Sequence, residues 1–273
     1  MHPKAQVVVE QLHALPEGRA PKLRLEPVAG RLNYLILFTP RSGSSWLTEL
    51  LRSNDMGDPK EWFNPNLIPK IAKRLGTRSV DDYISAVSHT GRDNNTYVFG
   101  SEITYFQLAI LEDMANVFDH FPISQTYFFY LRRRDIVQQA ISLYRATSTG
   151  EFHSVQLNGA PRKTAEYDSN AIEKWLRHIL KHESGFYRLF LRSGITPLTM
   201  TYERMLEVGP EAVLNFFTVP ILGDQFGREP KTTTRHSKLI NPETADWPER
   251  FRQDRPALLA EVERIRPDIT SDL

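Results

Sequence analysis

Residues 33–39 (NYLILFT) and 126–131 (TYFFYL) are apolar without the alternation of a half-exposed strand. Runs of that length and kind are strands buried on both faces, and such strands need helices above and below a parallel sheet. The rest of the chain supplies them. Pro40 stops the first run, and Ser44 or Ser45 caps a helix to about residue 53 with Trp46, Leu47, Leu50 and Leu51 inward. Residues 79–82 open a short helix, 97–103 read as a strand, and 105–118 as an amphipathic helix. Residues 135–146 place Ile136, Ala140, Leu143 and Tyr144 at helical spacing, and the polar segment 149–168 reads as a loop with the character of a lid. A long helix from residue 170 to about 192 ends at Gly194, 195–201 form a fourth strand, and Pro210 suits the first turn of another helix. Residues 224–246 are irregular and basic in the middle, and 247–265 form a terminal helix interrupted at Pro256. Strands alternating with helices, without internal repeats, predict an α/β fold: a doubly wound, mainly parallel sheet flanked by helices. Residues 1–30 read as an N-terminal extension with one short helix near residues 7–15, and 31–273 as a single domain.

Composition narrows the chemistry. Lys and Arg number 34 against 33 Asp and Glu, a balance that argues against a surface built for nucleic acid or an anionic membrane. There is no cysteine, which excludes disulfides, zinc–thiolate sites and thiol nucleophiles. The longest apolar stretches, around 34–38 and 127–131, are too short to span a bilayer, so no transmembrane segment is expected. The start lacks the apolar core of a secretory signal, and the cytoplasm is the expected address.

Between the first buried strand and its helix lies Thr39-Pro-Arg-Ser-Gly-Ser-Ser-Trp46. A tight turn at the carboxyl end of a parallel strand aims backbone N–H groups and the positive helix end at one spot. Gly43 allows close approach, Ser42, Ser44 and Ser45 add hydroxyls, and Arg41 adds charge and forked hydrogen bonds. A phosphate or sulfate is the expected occupant; the plain alternative is an ordinary strand–helix turn with serine caps. No lysine follows Gly43, so this is not a nucleoside-triphosphatase loop, and G-x-G-x-x-G is absent. Leu131-Arg-Arg-Arg-Asp135 repeats the geometry at the end of the other buried strand, with Ser142 two turns into the following helix. Ligands of such sheets bind beyond the carboxyl ends of the strands, so one arginine here, with Ser142, suits a second phosphate; otherwise the run is a solvated charge cluster.

Together these segments resemble the sulfotransferases, and more narrowly the bacterial trehalose 2-sulfotransferase and lipopolysaccharide sulfotransferase family. The matching motifs are Arg41–Ser44, the segment Gly57-Asp-Pro-Lys-Glu-Trp-Phe63, and Arg133–Ser142, in order and in register. The resemblance implies a sulfotransferase fold of the P-loop-like kind. It also implies a PAPS-dependent enzyme (3′-phosphoadenylyl sulfate as donor, PAP as product) that needs no metal and acts on a hydroxyl of a sugar or glycolipid. On this resemblance Arg41, Ser42, Gly43, Ser44 and Ser45 hold the 5′-phosphosulfate. Arg133 and Ser142 hold the 3′-phosphate, with Arg134 a rival for that task. Glu61 falls at the general base, and Arg235 and Lys238 close over the nucleotide. The family includes dimers, which makes a homodimer an expectation.

Other readings stay open beside it. Glu61 is either the base or a local cap beside Trp62 and Phe63, whose rings are core or acceptor-site walls. Glu102 stands after the second strand where relatives tend to carry lysine, and is either an alternative base or a changed acceptor contact. His178 and His182 lie one helical turn apart without an evident third ligand and read as a solvated helix face. A nucleotide-binding protein without turnover and a nonstandard kinase are the competing functions.

Overall fold

The computed structural model of the protein describes residues 1–16, 32–152, 164–223, 229–235 and 244–266. Both apolar runs are strands: β1 is Leu32–Phe38 and β3 is Thr126–Arg132. With β2 (Val98–Ile103) and β4 (Leu198–Thr201) they form a four-stranded parallel sheet in the order β2-β1-β3-β4. The doubly wound arrangement is therefore observed, with β1 and β3 central and mostly apolar, the polar Asn33, Thr126 and Arg132 lying at their ends.

The pleat divides the core. Leu35 and Leu37 face one side, packing with Phe128 and Tyr130 of β3 and with helices α1 (Pro3–His13), α3 (Ile68–Leu75), α4 (Val80–Thr90), α5 (Tyr105–Glu112), α6 (Val117–His120) and α8 (Ser169–Ser193). Tyr34, Ile36 and Phe38 face the other side, against α2 (Ser44–Ser53) and α9 (Tyr202–Leu222). A third cluster joins α7 (Ile136–Thr149) and α8 to α10 (Trp247–Asp254) and α11 (Pro256–Ile265).

Several boundaries differ from expectation. Helix α1 buries Ala5, Val8 and Leu12, so the N-terminal segment supplies part of the first core. The predicted helix over 105–118 is two, because α5 stops at a C-cap on Asp113 before α6 begins. The fourth strand starts at Leu198 rather than at residue 195. Pro210 does open a helical segment, since Gly209 (φ 78°, ψ 170°) breaks α9 just before it. By length and composition α9 is apolar enough to cross a membrane; here Val213, Leu214, Phe217, Ile221 and Leu222 pack against the second face of the sheet. His178 and His182 do not form a solvated face. His182 is buried, its Nε2 lies 3.1 Å from His178 Nε2, and its ring packs edge-on against Phe106. Burial, then the neighbouring His178 and Lys181, pushes the His182 pKa down to about 3.

At the end of β3 the three arginines part company. Arg132 continues the first face and enters the interior, where its Nη2 meets Glu183 Oε2 at 3.3 Å and its Nη1 donates to the Tyr187 hydroxyl at 3.0 Å. Arg266 grips the same carboxylate from the other side, Nε to Oε2 at 2.8 Å and Nη2 to Oε1 at 3.0 Å, and also donates to the carbonyls of Arg133 and Arg134. Arg132, Glu183 and Arg266 are 2%, 2% and 5% exposed. A carboxylate shared by two guanidiniums fixes the backbone just where the next residues enter the functional site. Removing the one negative charge takes their shared carboxylate from two buried cations, so Glu183→Gln should cost about 3–5 kcal/mol in urea unfolding. Arg177→Ala, which breaks an exposed pair with Glu173, should cost less than ~1 kcal/mol. Equal costs for the two variants would contradict this.

Candidate active site

The turn after β1 is strained and stapled. Arg41 adopts a left-handed backbone (φ 68°), as does Gly43 (φ 89°) two residues on. Left-handed residues in a turn curl its backbone into an amide nest suited to anions, and for a non-glycine residue the conformation costs of order 1–3 kcal/mol. Glycine is required at 43: a Cβ there would sit 2.7 Å from the Tyr202 ring. Gln139 of α7, fully buried, holds the turn by donating to Thr39 Oγ1 at 2.8 Å and to the Pro40 carbonyl at 2.7 Å.

The serines divide their tasks differently from the sequence reading. Neither Ser44 nor Ser45 is the cap of α2; Gly43 occupies that position with no side-chain bond. Ser42 is buried and its hydroxyl donates back to the Thr39 carbonyl at 2.7 Å, which closes the turn. The Ser44 hydroxyl bonds the Glu102 carboxyl. Ser45 lies in the first turn of α2, where its carbonyl accepts from Thr48 Oγ1 at 3.3 Å.

A knot of positive charge faces this turn. Arg41 Nε donates to Ser142 Oγ at 3.0 Å, and its Nη1 donates to the Phe152 carbonyl. Arg133 Nη1 reaches the Arg41 carbonyl at 3.4 Å, and its guanidinium lies 4.8 Å over the Tyr202 ring. Arg133 Nε is buried without a hydrogen bond, and its ion pair with Glu203 is long, 3.7 Å. Burial, then Arg133 and Arg145, lowers the Arg41 pKa: three guanidiniums repel one another in a partly dry site. An anion with several oxygens relieves that repulsion. Arg145 was not singled out from sequence, although it stands three residues past Ser142 on the same face of α7. Arg134 is drawn away from the knot, its Nη2 paired with Glu207 and its amide donating to Glu203 Oε2 at 2.8 Å. Successive residues leaving β3 point to opposite sides, so of the two rivals the structure brings Arg133 to Arg41.

The carboxyls enter from the other edge. The segment 57–63 runs beside β2, with Lys60 bridged to Ser101 and the Glu102 amide donating to the Lys60 carbonyl at 3.2 Å. This sets Glu61 next to Glu102. Glu61 Oε2 accepts from Asn64 Nδ2 at 2.8 Å and from Gln107 Nε2. Trp62 and Phe63 are core rings. Glu102 is buried inside β2, and burial, then the Glu61 charge, raises its pKa to about 8 against the hydrogen bond from Ser44. Glu61 is thus the carboxyl with polar donors, and Glu102 the one that keeps its proton at neutral pH.

Arg235 is not brought to the knot. Its amide and Nε both donate to Glu49 on α2, at 2.9 and 2.7 Å. Lys238 lies outside the described residues, as do 153–163 of the predicted lid. Among the described residues no three His, Asp or Glu gather as metal ligands.

A strained turn and arginine knot at the carboxyl ends of parallel strands, with a carboxyl pair alongside, have the layout of a group-transfer enzyme's site. The chain belongs to the Stf0 sulphotransferase family, whose model matches residues 33–254. It is 25% identical over 270 residues to a trehalose 2-sulfotransferase of Mycobacterium tuberculosis, covering 82% of this chain and 96% of that protein. A trehalose 2-sulfotransferase of Mycolicibacterium smegmatis is 22% identical over 263 residues, covering 81% and 94%. The crystal structure of a sulfotransferase from Alicyclobacillus acidocaldarius shares the fold at TM-score 0.51 and 17% identity, covering 89% of this chain and 97% of that one.

The carboxyl pair makes stability depend on pH. Folded Glu102 holds its proton to about pH 8, whereas an ordinary glutamate releases it near 4.5. Its contribution is therefore full below about 4.5 and is lost as pH rises through about 8. Glu102→Gln, neutral throughout, should gain in Tm over the native protein between pH 5 and pH 8.5. A Tm difference independent of pH would show that Glu102 is ionised in the folded state.

Proposed function

We propose that the protein transfers the sulfonate of PAPS to a sugar hydroxyl, with Glu61 as general base. The observation that carries this reading is the Arg41–Ser142–Arg133 knot on the turn after β1, because it concentrates positive charge where an oxyanion would offset it. The donor fits these residues: Arg41, the amides of residues 42–45 and the Ser44 hydroxyl suit its 5′-phosphosulfate, while Arg133 and Ser142 suit its 3′-phosphate. Bound there, the donor supplies a sulfur with a phosphate leaving group already attached.

The chain's own residues supply the rest. A sugar hydroxyl is scarcely ionised at neutral pH, so a carboxylate must take its proton as its oxygen bonds to sulfur. Glu61 takes that proton, oriented by Asn64 and Gln107. As the sulfur–oxygen bond to the 5′-phosphate breaks, its electron pair stays on the phosphate oxygen, beside Arg41 and the turn amides. Strained backbone at Arg41 and the Gln139 staple hold those donors in place beforehand. The names of the two curated relatives make trehalose the first acceptor to test.

Two substitutions separate the two sides of the site. Arg133→Ala should weaken PAP binding about 10–100-fold, the scale of a lost charge-assisted contact. Glu61→Gln should bind PAP within about twofold of the native protein and lower turnover on trehalose by about 10²–10⁴. Unchanged PAP affinity in the first, or unchanged turnover in the second, would overturn the corresponding assignment.

A further inference from the structure

Glu102 is a buried ionisable group beside the anion turn that the transfer step leaves without a task. It sits in β2 opposite Ile36 of β1, with its backbone tied to Lys60 and its carboxyl bonded by Ser44, a residue of the anion turn. Its Oε2 is buried and accepts no hydrogen bond. Among the described residues, the side chains of Glu61, Arg52 and Tyr34 bear on it besides Ser44. Glu61 approaches from the 57–63 segment, and Arg52 acts on it from α2 while pairing with Asp58 at 3.5 Å. Tyr34 of β1 lies near, its phenol held on the Met56 carbonyl at 2.7 Å and feeling both Asp58 and Glu102. Lys60 is engaged with Asp58.

Building on the donor reading above, we propose that Glu102 is a positioning residue that holds its proton more firmly when an anion occupies the turn, so that Glu61 stays the sole charged base even in mildly alkaline solution. The Ser44 hydroxyl is the link. Turned toward a bound oxyanion, it no longer donates to Glu102, and an ionised Glu102 is then a buried charge with no hydrogen bond at its second oxygen either. Burying an uncompensated carboxylate is costly enough that it protonates instead. The negative charge of the donor works in the same direction. The pair thereby holds a single charge, on Glu61, at the moment an acceptor hydroxyl must be deprotonated. Burial and Glu61 already raise Glu102 to about 8, so the uptake is measurable in mildly alkaline solution. The proton comes from solvent, and no bond other than O–H changes.

The test is calorimetric titration of PAP into the full chain at pH 8, in HEPES and in Tris, whose ionisation enthalpies differ. Phosphate groups are fully ionised at that pH and contribute little. A carboxyl half-ionised at pH 8 can gain up to about half a proton, so the native protein should take up a fraction of that order on binding PAP. Glu102→Gln should bind PAP with most of that uptake gone. Ser44→Ala, which frees Glu102 of its donor beforehand, should bind PAP more weakly and also take up less. PAP binding without proton uptake in the native protein overturns the inference alone, as does uptake undiminished in Ser44→Ala or in Glu102→Gln. Failure of the native protein to bind PAP overturns the donor reading and this inference with it.

Discussion

The Arg132–Glu183–Arg266 interaction is the constraint on which the site's geometry rests. A strand that ends in three arginines is electrostatically unstable unless the charges are sent in different directions. Glu183 draws the first into the interior, while Glu203 and Glu207 of α9 draw the third outward. Arg133, between them, is left beside Arg41, its ion pair with Glu203 a long one. Arg266 completes the arrangement by bonding the carbonyls of both Arg133 and Arg134, so α11 holds the end of β3 from outside the sheet. Burying such a triad brings little net stability compared with an apolar core. Its value here is directional.

The sheet order adds the second constraint. Because β1 lies between β2 and β3, the turn after β1 has the arginines at the end of β3 on one side and, on the other, Glu102 of β2 with Glu61 of the adjoining segment. Gln139 ties the turn to α7, and Ser44 ties it to Glu102. The cations and the carboxyls thus share one scaffold, with the strained backbone at Arg41 at its centre.

Those parts of the fold and site that depend on local pattern were legible in the sequence. Unbroken apolar runs identified β1 and β3, and Arg41, Gly43, Arg133 and Ser142 stood out because turns after such strands gather ligands. Relations between distant residues were not legible. Nothing near Arg132 announces that its partner is 51 residues away, and His182 reads as a surface residue until α5 places Phe106 over it. Helix α1 has too short an apolar stripe, Ala5, Val8 and Leu12, to be told from a solvated extension. The serines misled for a subtler reason: three hydroxyls in a row suggest three donors or a cap, but Ser42 closes its own turn and Ser44 serves a strand 58 residues on. Glu102 was noticed as a departure, and its burial could be argued from an acid inside an otherwise apolar strand, though its neighbour Glu61 could not.

The central claim is that turn and arginines together hold one bisphosphorylated nucleotide without a metal. Thermal unfolding with PAP in chelator, compared with ATP and magnesium, tests it most directly. A ligand at about a hundred times its Kd adds roughly 2.7 kcal/mol, enough for a clear rise in Tm. The account predicts that rise with PAP alone and a smaller one with ATP and magnesium. No rise with PAP, or a larger one with ATP and magnesium, would contradict it.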